Sequence, residues 1–233
     1  MARKPQRERP QLPPPGGTDR ERIIDAFMAL LAERPFEEIG FGDISARAGL
    51  SLTHCRTEFS STVAVLGAHI KEIDRKVLAG GEADMAEEPP RERLFDVLMR
   101  RLEALTPHQP AIRSLMRSAG RNPGLALALN GFAVRSQQWM LTAAGIDAAG
   151  PRGLVRAQGL ALLYARVLQV WSHDDDPGLA RTLAALDREL ARGQRWAGFL
   201  DDVCRFVPRC RSRRDHQTRR YGDEGMGEQP ATV

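Results

Sequence analysis

The groups that could do chemistry are few. Five histidines (His54, His69, His108, His173 and His216) and three cysteines (Cys55, Cys204 and Cys210) are scattered along 233 residues. His54 and Cys55 are neighbours on a predicted helix, where adjacent side chains point about 100° apart. No second Cys/His pair lies near them, so they do not read as a metal pair. Cys55 reads instead as a small buried apolar residue. The run His173-Asp174-Asp175-Asp176 resembles a hard-cation site only in composition. Followed by Pro177-Gly178, it reads as a solvated turn that places negative charge at the next helix N-terminus. No histidine has a nucleophile beside it in a strand–turn–helix setting. The glycines at 120–124 and 145–153 lack the strand that phosphate-cradling loops require. The expectation is a protein without catalytic residues, bound metal or cofactor.

The most specific pattern lies between Phe41 and Phe59. Asp43-Ile44-Ser45-Ala46-Arg47-Ala48-Gly49-Leu50-Ser51 puts a small residue, Ala48, where two helices would cross. Gly49 falls where the tight turn needs a left-handed backbone. Leu50 fills the corner and Ser51 caps a second short helix. That helix would present Leu52, Thr53, His54, Arg56 and Thr57 outward, and a helix of this size fits a major groove. Ser51, Leu52, Thr53, His54, Arg56 and Thr57 are therefore the candidate DNA-binding residues.

A second set could hold a small molecule. Met99, Met116, Trp139, Met140, Tyr164 and Trp171 are large apolar or soft side chains of the kind that line ligand cavities. Each is equally at home in a plain helix core, and the residue types alone leave both readings open.

The elements that must position these residues all read as helices. Ile23, Ile24, Phe27, Leu30 and Leu31 recur at three and four, giving an amphipathic helix over Asp19–Glu33. Ile44 and Ala48 mark a short helix stopped by Gly49. Val63, Leu66, Ile70, Ile73 and Val77 keep one face until Gly80-Gly81. After an acidic linker (82–90), Leu94, Leu98, Leu102 and Leu105 mark a further helix. Helices over 111–119, 123–143, 153–172 and 177–206 follow, and the third of these is apolar almost all round, as a helix buried on several sides would be. No alternating strand is apparent. The fold class is all-α: a small N-terminal unit of short helices containing the helix-turn-helix (19–80), then a larger helical bundle (91–207).

Charge sharpens this division. The net charge of +4 splits into +3 for residues 1–18, −2 for 19–80, zero for 81–204 and +3 for 205–233. Residues 1–18 are Pro-rich and basic (Arg3, Lys4, Arg7, Arg9), and 208–233 lack apolar periodicity, so both ends are expected to be disordered. The arm could track phosphates or remain a solvated tail. No apolar run reaches the roughly 18 residues of a spanning helix, and the N-terminus has no apolar signal-peptide core. A cytoplasmic protein is expected.

The stretch from Arg20 to Ser61 resembles the TetR family of bacterial transcriptional regulators. The resemblance covers about 40 residues, from the first helix through the turn to Phe59 and the start of a fourth helix. It implies a three-helix DNA-reading head, a homodimer joined by its last two long helices, a double-stranded DNA operator as partner, and a small apolar ligand whose binding releases the DNA. Two departures bear on this. Arg56 stands where the family shows a phosphate-supporting tyrosine, and Thr62 stands where it shows a phosphate-binding lysine. Glu58 also adds negative charge to the reading helix. The C-terminal half, through Leu94–Leu102, Trp139-Met140-Leu141, Trp171 and Thr182–Arg188, looks like the TetR-fold accessory proteins of ubiquinone biosynthesis. That second resemblance implies a lipid or isoprenoid ligand, peripheral membrane contact and no DNA binding.

Overall fold

The structure is a computed structural model that describes residues 17–80 and 87–206, with side chains described as far as Gly193. The expectations for residues 1–16 and 208–233 fall outside the described residues. In chain order the helices are α1 (Asp19–Glu33), α2 (Phe41–Ala48), α3 (Leu52–Glu58), α4 (Thr62–Ala79), α5 (Pro90–Leu105), α6 (Gln109–Ala119), α7 (Pro123–Ala143), α8 (Gly150–Trp171) and α9 (Ala180–Phe206). The described residues contain no strand, so the fold is all-α. The chain divides into a compact unit over Met1–Gly193 and a second over Gln194–Val233.

Local chemistry sets most of the helix ends. Thr18 accepts from the Glu21 amide while the Glu21 carboxylate accepts from the Thr18 amide, a reciprocal capping box that starts α1. Asn122 caps α7 by accepting from Leu125 N, and Pro123 occupies the first helical position, where no N–H is needed. Pro90 does the same for α5. Between α5 and α6 there is only a single 3-10 turn, Thr106–His108.

The core is continuous through the first unit. Ile23, Phe27 and Leu31 of α1 are wholly buried together with Ile44 and Ala48 of α2, Leu66 and Ile73 of α4, and Leu98 and Leu102 of α5. Burying each side chain of that size contributes about 1.5–3 kcal/mol. α1 packs on α2 and α6, while α4 packs on α5 and α7. Gly67 lets α4 come close to α7: a Cβ there would sit 2.9 Å from the Phe132 ring. Polar groups reinforce the contact of α6 with its neighbours. Gln109 Nε2 and Arg113 Nε donate to the carbonyls of Trp171 (2.8 Å) and Ser172 (2.6 Å) at the end of α8. At its other end, Ser114 Oγ donates to Arg34 O and Ser118 Oγ accepts from Phe36 N.

Three features depart from the sequence reading. α8 is not enclosed: Leu154, Val155, Leu162 and Val170 face outward, because the other helices of the unit cover only the side that carries Ala157, Ala161, Tyr164 and Val167. The buried face of α4 is wider than its apolar stripe and includes His69 and Asp74, while Val63 and Ile70 are only half-buried. The acidic run before α9 is also not uniformly solvated. Asp174 is buried and accepts from Thr182 N (2.9 Å) and Thr182 Oγ1 (2.7 Å), and those hydrogen bonds hold its carboxyl below the usual range. Asp176 accepts from the amides of Gly178 and Ala180 at the start of α9. Leu179, between them, adopts φ 50°, a conformation costly for a branched side chain.

Candidate nucleic-acid interface and the polar core behind it

The turn between α2 and α3 forms for reasons visible in its residues. Gly49 has φ 64° and ψ 34°, the left-handed conformation that suits glycine. Ser45 holds the loop at both ends: its carbonyl accepts from Leu50 N, and its hydroxyl donates to Leu50 O at 2.6 Å. Arg22 reaches across from α1 to donate to Ala48 O at 2.6 Å, fixing the end of α2 against the first helix. Ser51 Oγ then accepts from His54 N at 3.2 Å and caps α3.

α3 is held by one side and open on the rest. Cys55 is fully buried, and its burial pushes the thiol above the ordinary cysteine range, so it packs as an apolar residue. Ser51, Leu52, Thr53, His54, Arg56 and Thr57 are all exposed. Leu52 is 57% exposed, an uncovered apolar side chain of the kind that contacts a thymine methyl. Two of the set are engaged locally. Thr57 Oγ1 donates to Thr53 O, and Arg56 Nη1 donates to Ser60 O at 3.3 Å.

The electrostatics around α3 involve residues the sequence reading did not single out. Arg20 on α1 lies over the Phe59 ring, 4.5 Å from its centroid, and 3.7 Å from the Glu58 carboxylate. His54 Nδ1 is 3.9 Å from Asp19. Arg34 pairs with Asp43, and Arg47 makes a two-pronged pair with Glu33 at 2.7 and 2.9 Å. The Arg47 guanidinium holds the Glu33 carboxyl below its usual range. Arg56 makes no ion pair among the described residues. The acids near the helix-turn-helix are thus matched by arginines, and Arg56 is the reading-helix cation without one.

The ligand candidates separate in space. Met140, Tyr164 and Trp171 are buried in the bundle, and Met99 and Met116 are half-buried against the same core. Trp139 is not: its side chain is 59% exposed on the outer face of α7. Adjacent helix positions point apart, so burying Met140 turns Trp139 outward.

One buried candidate, Tyr164, lies against polar groups that no local sequence pattern marks. Arg101 on α5 is 6% exposed and lies 3.3 Å from Asp74 on α4. Ser136 Oγ on α7 donates to the same Asp74 oxygen at 2.7 Å. Tyr164 on α8 lays its ring against the Arg101 guanidinium, 5.3 Å to the centroid. Burial pushes both the Asp74 carboxyl and the Tyr164 hydroxyl above their ordinary ranges. Nearby on the α4 side, His69 and His108 meet edge to face at 4.7 Å. Burial, with His108 beside it, lowers His69 to about 3, so it is neutral. Among the described residues no group of three or more His, Cys, Asp or Glu side chains is placed to hold a metal ion.

The arrangement of helices has known counterparts. The crystal structure of a TetR transcriptional regulator from Nitrosomonas europaea ATCC 19718 superposes with a TM-score of 0.61 at 22% identity, over 76% of this chain and 99% of that one. A TetR transcriptional regulator from Rhodococcus sp. RHA1 gives 0.51 at 20% identity, over 75% and 95%. A TetR-family regulator from Streptomyces coelicolor gives 0.51 at 16%, over 81% and 86%. No protein-family model matches the chain, and no curated protein does. The fold is that of the TetR-family regulators.

Proposed function

We propose that this protein is a cytoplasmic, DNA-binding transcriptional regulator, acting as a homodimeric repressor that a small, largely apolar ligand releases from its operator. The observation that carries the reading is α3. It is anchored by buried Cys55 and capped by Ser51, and it offers Leu52, Thr53, His54, Arg56 and Thr57 to solvent on a helix the width of a major groove. Arg56 and the basic arm (Arg3, Lys4, Arg7, Arg9) supply phosphate contacts. The uncovered face of α8, with Val155 and Leu162 either side of open Gly159, supports pairing with a second copy. A ligand in the bundle acts only through different affinity for the DNA-bound and free spacings of the two heads.

Fluorescence anisotropy with promoter fragments across a salt series tests this. Saturable, fragment-selective binding should weaken with salt, and Arg56→Ala should lower the salt slope by about one. Leu162→Glu should shift the chain to a monomer in light scattering and weaken the DNA complex.

One observation favours a second reading, a lipid-binding protein of the same fold that does not bind DNA. The arginines nearest α3 are matched by acids, whereas DNA affinity rests largely on unmatched cations. Flat anisotropy at low salt, with isoprenoid or lipid recovered by organic extraction of the purified protein, would replace the regulator with this reading. Among the described residues no helix is long and apolar enough to cross a membrane.

A further inference from the structure

The bundle core holds more hydrogen-bonding capacity than the described residues use. Arg101 has an acid near Nη2 only; its Nε and Nη1 are buried without an acceptor. The Asp74 oxygen it faces is shared with the Ser136 hydroxyl. The Tyr164 hydroxyl, carried on the ring that lies against the guanidinium, is also buried and without a partner. So is Oε1 of Gln137, the residue after Ser136 on α7. Arginine cannot shed its proton, so its charge and donors stay in place whatever surrounds them. Buried polar groups in native proteins otherwise find partners, and a cluster of exceptions needs a cause.

Apolar side chains frame this cluster. Leu98 and Leu102 flank Arg101 on α5, and Leu160, Ala161 and Val167 flank Tyr164 on α8, all buried. Burial raises the Asp74 carboxyl despite Arg101 beside it, which makes Asp74 a reluctant counter-ion. An outside group that satisfies Arg101 and the Tyr164 hydroxyl must therefore bring oxygen acceptors and negative charge on an apolar body.

We propose that Arg101 and Tyr164 form the polar anchor of a ligand site in the bundle, and that the ligand is an organic acid. Its carboxylate accepts from Arg101 Nε or Nη1 and from the Tyr164 hydroxyl, while its apolar part lies among the leucines of α5 and α8. This rests on the ligand-responsive reading above and names the chemical class of that ligand.

The test uses the full chain with octanoate and phenylacetate, each compared with its methyl ester and its matching primary amine, by calorimetry and thermal shift. At least one acid should bind about tenfold or more tightly than its ester and its amine, the discrimination expected of one charge-assisted hydrogen bond. Arg101→Met strands Asp74, so two other variants carry the result. Tyr164→Phe deletes an unpartnered hydroxyl, so it should leave the melting temperature of the free protein unchanged or higher while weakening the acid several-fold. Asp74→Asn with Arg101→Met removes both charges and should fold yet lose the acid. Equal binding of acid and ester, acid binding undiminished in the double variant, or no acid binding up to millimolar concentration would each overturn the proposal. Acid binding that leaves the DNA complex unchanged keeps the site and overturns release by the ligand, and acid binding with no DNA complex at low salt keeps the site and overturns the regulator. Salt-sensitive DNA binding without any response to acids does the reverse.

Discussion

The helix-turn-helix and the centre of the bundle treat their charges in opposite ways. Beside α3 the arginines of the neighbouring helices are solvent-accessible to half-buried and matched by acids, Arg20 with Glu58, Arg34 with Asp43 and Arg47 with Glu33. In the bundle, Asp74 and Arg101 are buried, and most of the Arg101 donors are unmatched. Exposed pairs of the first kind are each worth about 0–1 kcal/mol. Stranding one buried donor costs about 1–3 kcal/mol. The region that looks busiest with ion pairs therefore contributes little to stability, and the sparse one dominates the balance.

The comparison breaks most visibly if the buried pair is cut. Arg101→Met leaves Asp74 buried beside nothing but the Ser136 hydroxyl and should destabilise by about 3–5 kcal/mol in urea unfolding. Adding Asp74→Asn should recover much of the loss. An Arg101→Met loss no larger than that of Arg34→Ala would mean the two regions do not differ.

Acid provides the next largest effect. His69 is lowered to about 3 in the folded chain from its ordinary 6.5, so the unfolded chain takes the proton first as pH falls. Its contribution is intact above about pH 6.5, and stability then drops until pH reaches about 3, by at most about 1.4 kcal/mol per unit. His108, lowered by its own burial, acts with the same sign. Unfolding free energies from urea titrations at pH 7.5 and pH 5 should differ by about 2 kcal/mol from His69 alone, and His69→Gln should flatten the difference. A His69→Gln curve parallel to wild type would assign the acid sensitivity elsewhere.

Changes in the helix-turn-helix should be smaller. Ser51→Ala removes the α3 cap and should cost about 1 kcal/mol in thermal or urea unfolding. Arg20→Ala removes a half-exposed ion pair and a ring contact, for about 1 kcal/mol or less. Its informative readout is DNA affinity, which should fall as Glu58 is left bare and recover in Arg20→Ala/Glu58→Gln. Unchanged affinity in Arg20→Ala would mean that Glu58 does not face the phosphates.

The same contrast explains what could be read from sequence. Order within a few residues was legible: α1 and α7 begin and end where apolar spacing, Pro123 and Pro35 place them, and Gly49 and Ser51 do locally what their types suggest. The Thr18–Glu21 capping box is a local signal of the same kind. Long-range partnerships were not legible. His69 and Asp74 look like polar interruptions of the α4 stripe, and only the approach of α5, α7 and α8 shows that they point inward. Trp139 and the outer residues of α8 mislead in the other direction, because apolar type does not say which side of a helix the rest of the chain covers. The solved structures that share the fold are at most 22% identical among the three compared, so the arrangement of helices is common ground while the residues that fill it are this chain's own.

The contact of Gly67 with Phe132 ties two distant positions into one unit of inheritance. An alanine at 67 would meet the ring at 2.9 Å, so it becomes acceptable only where 132 carries something smaller or the ring can swing aside. Among descendants of this sequence, a side chain at 67 should therefore be found only where 132 is smaller or its ring has moved, while 132 is free to shrink first.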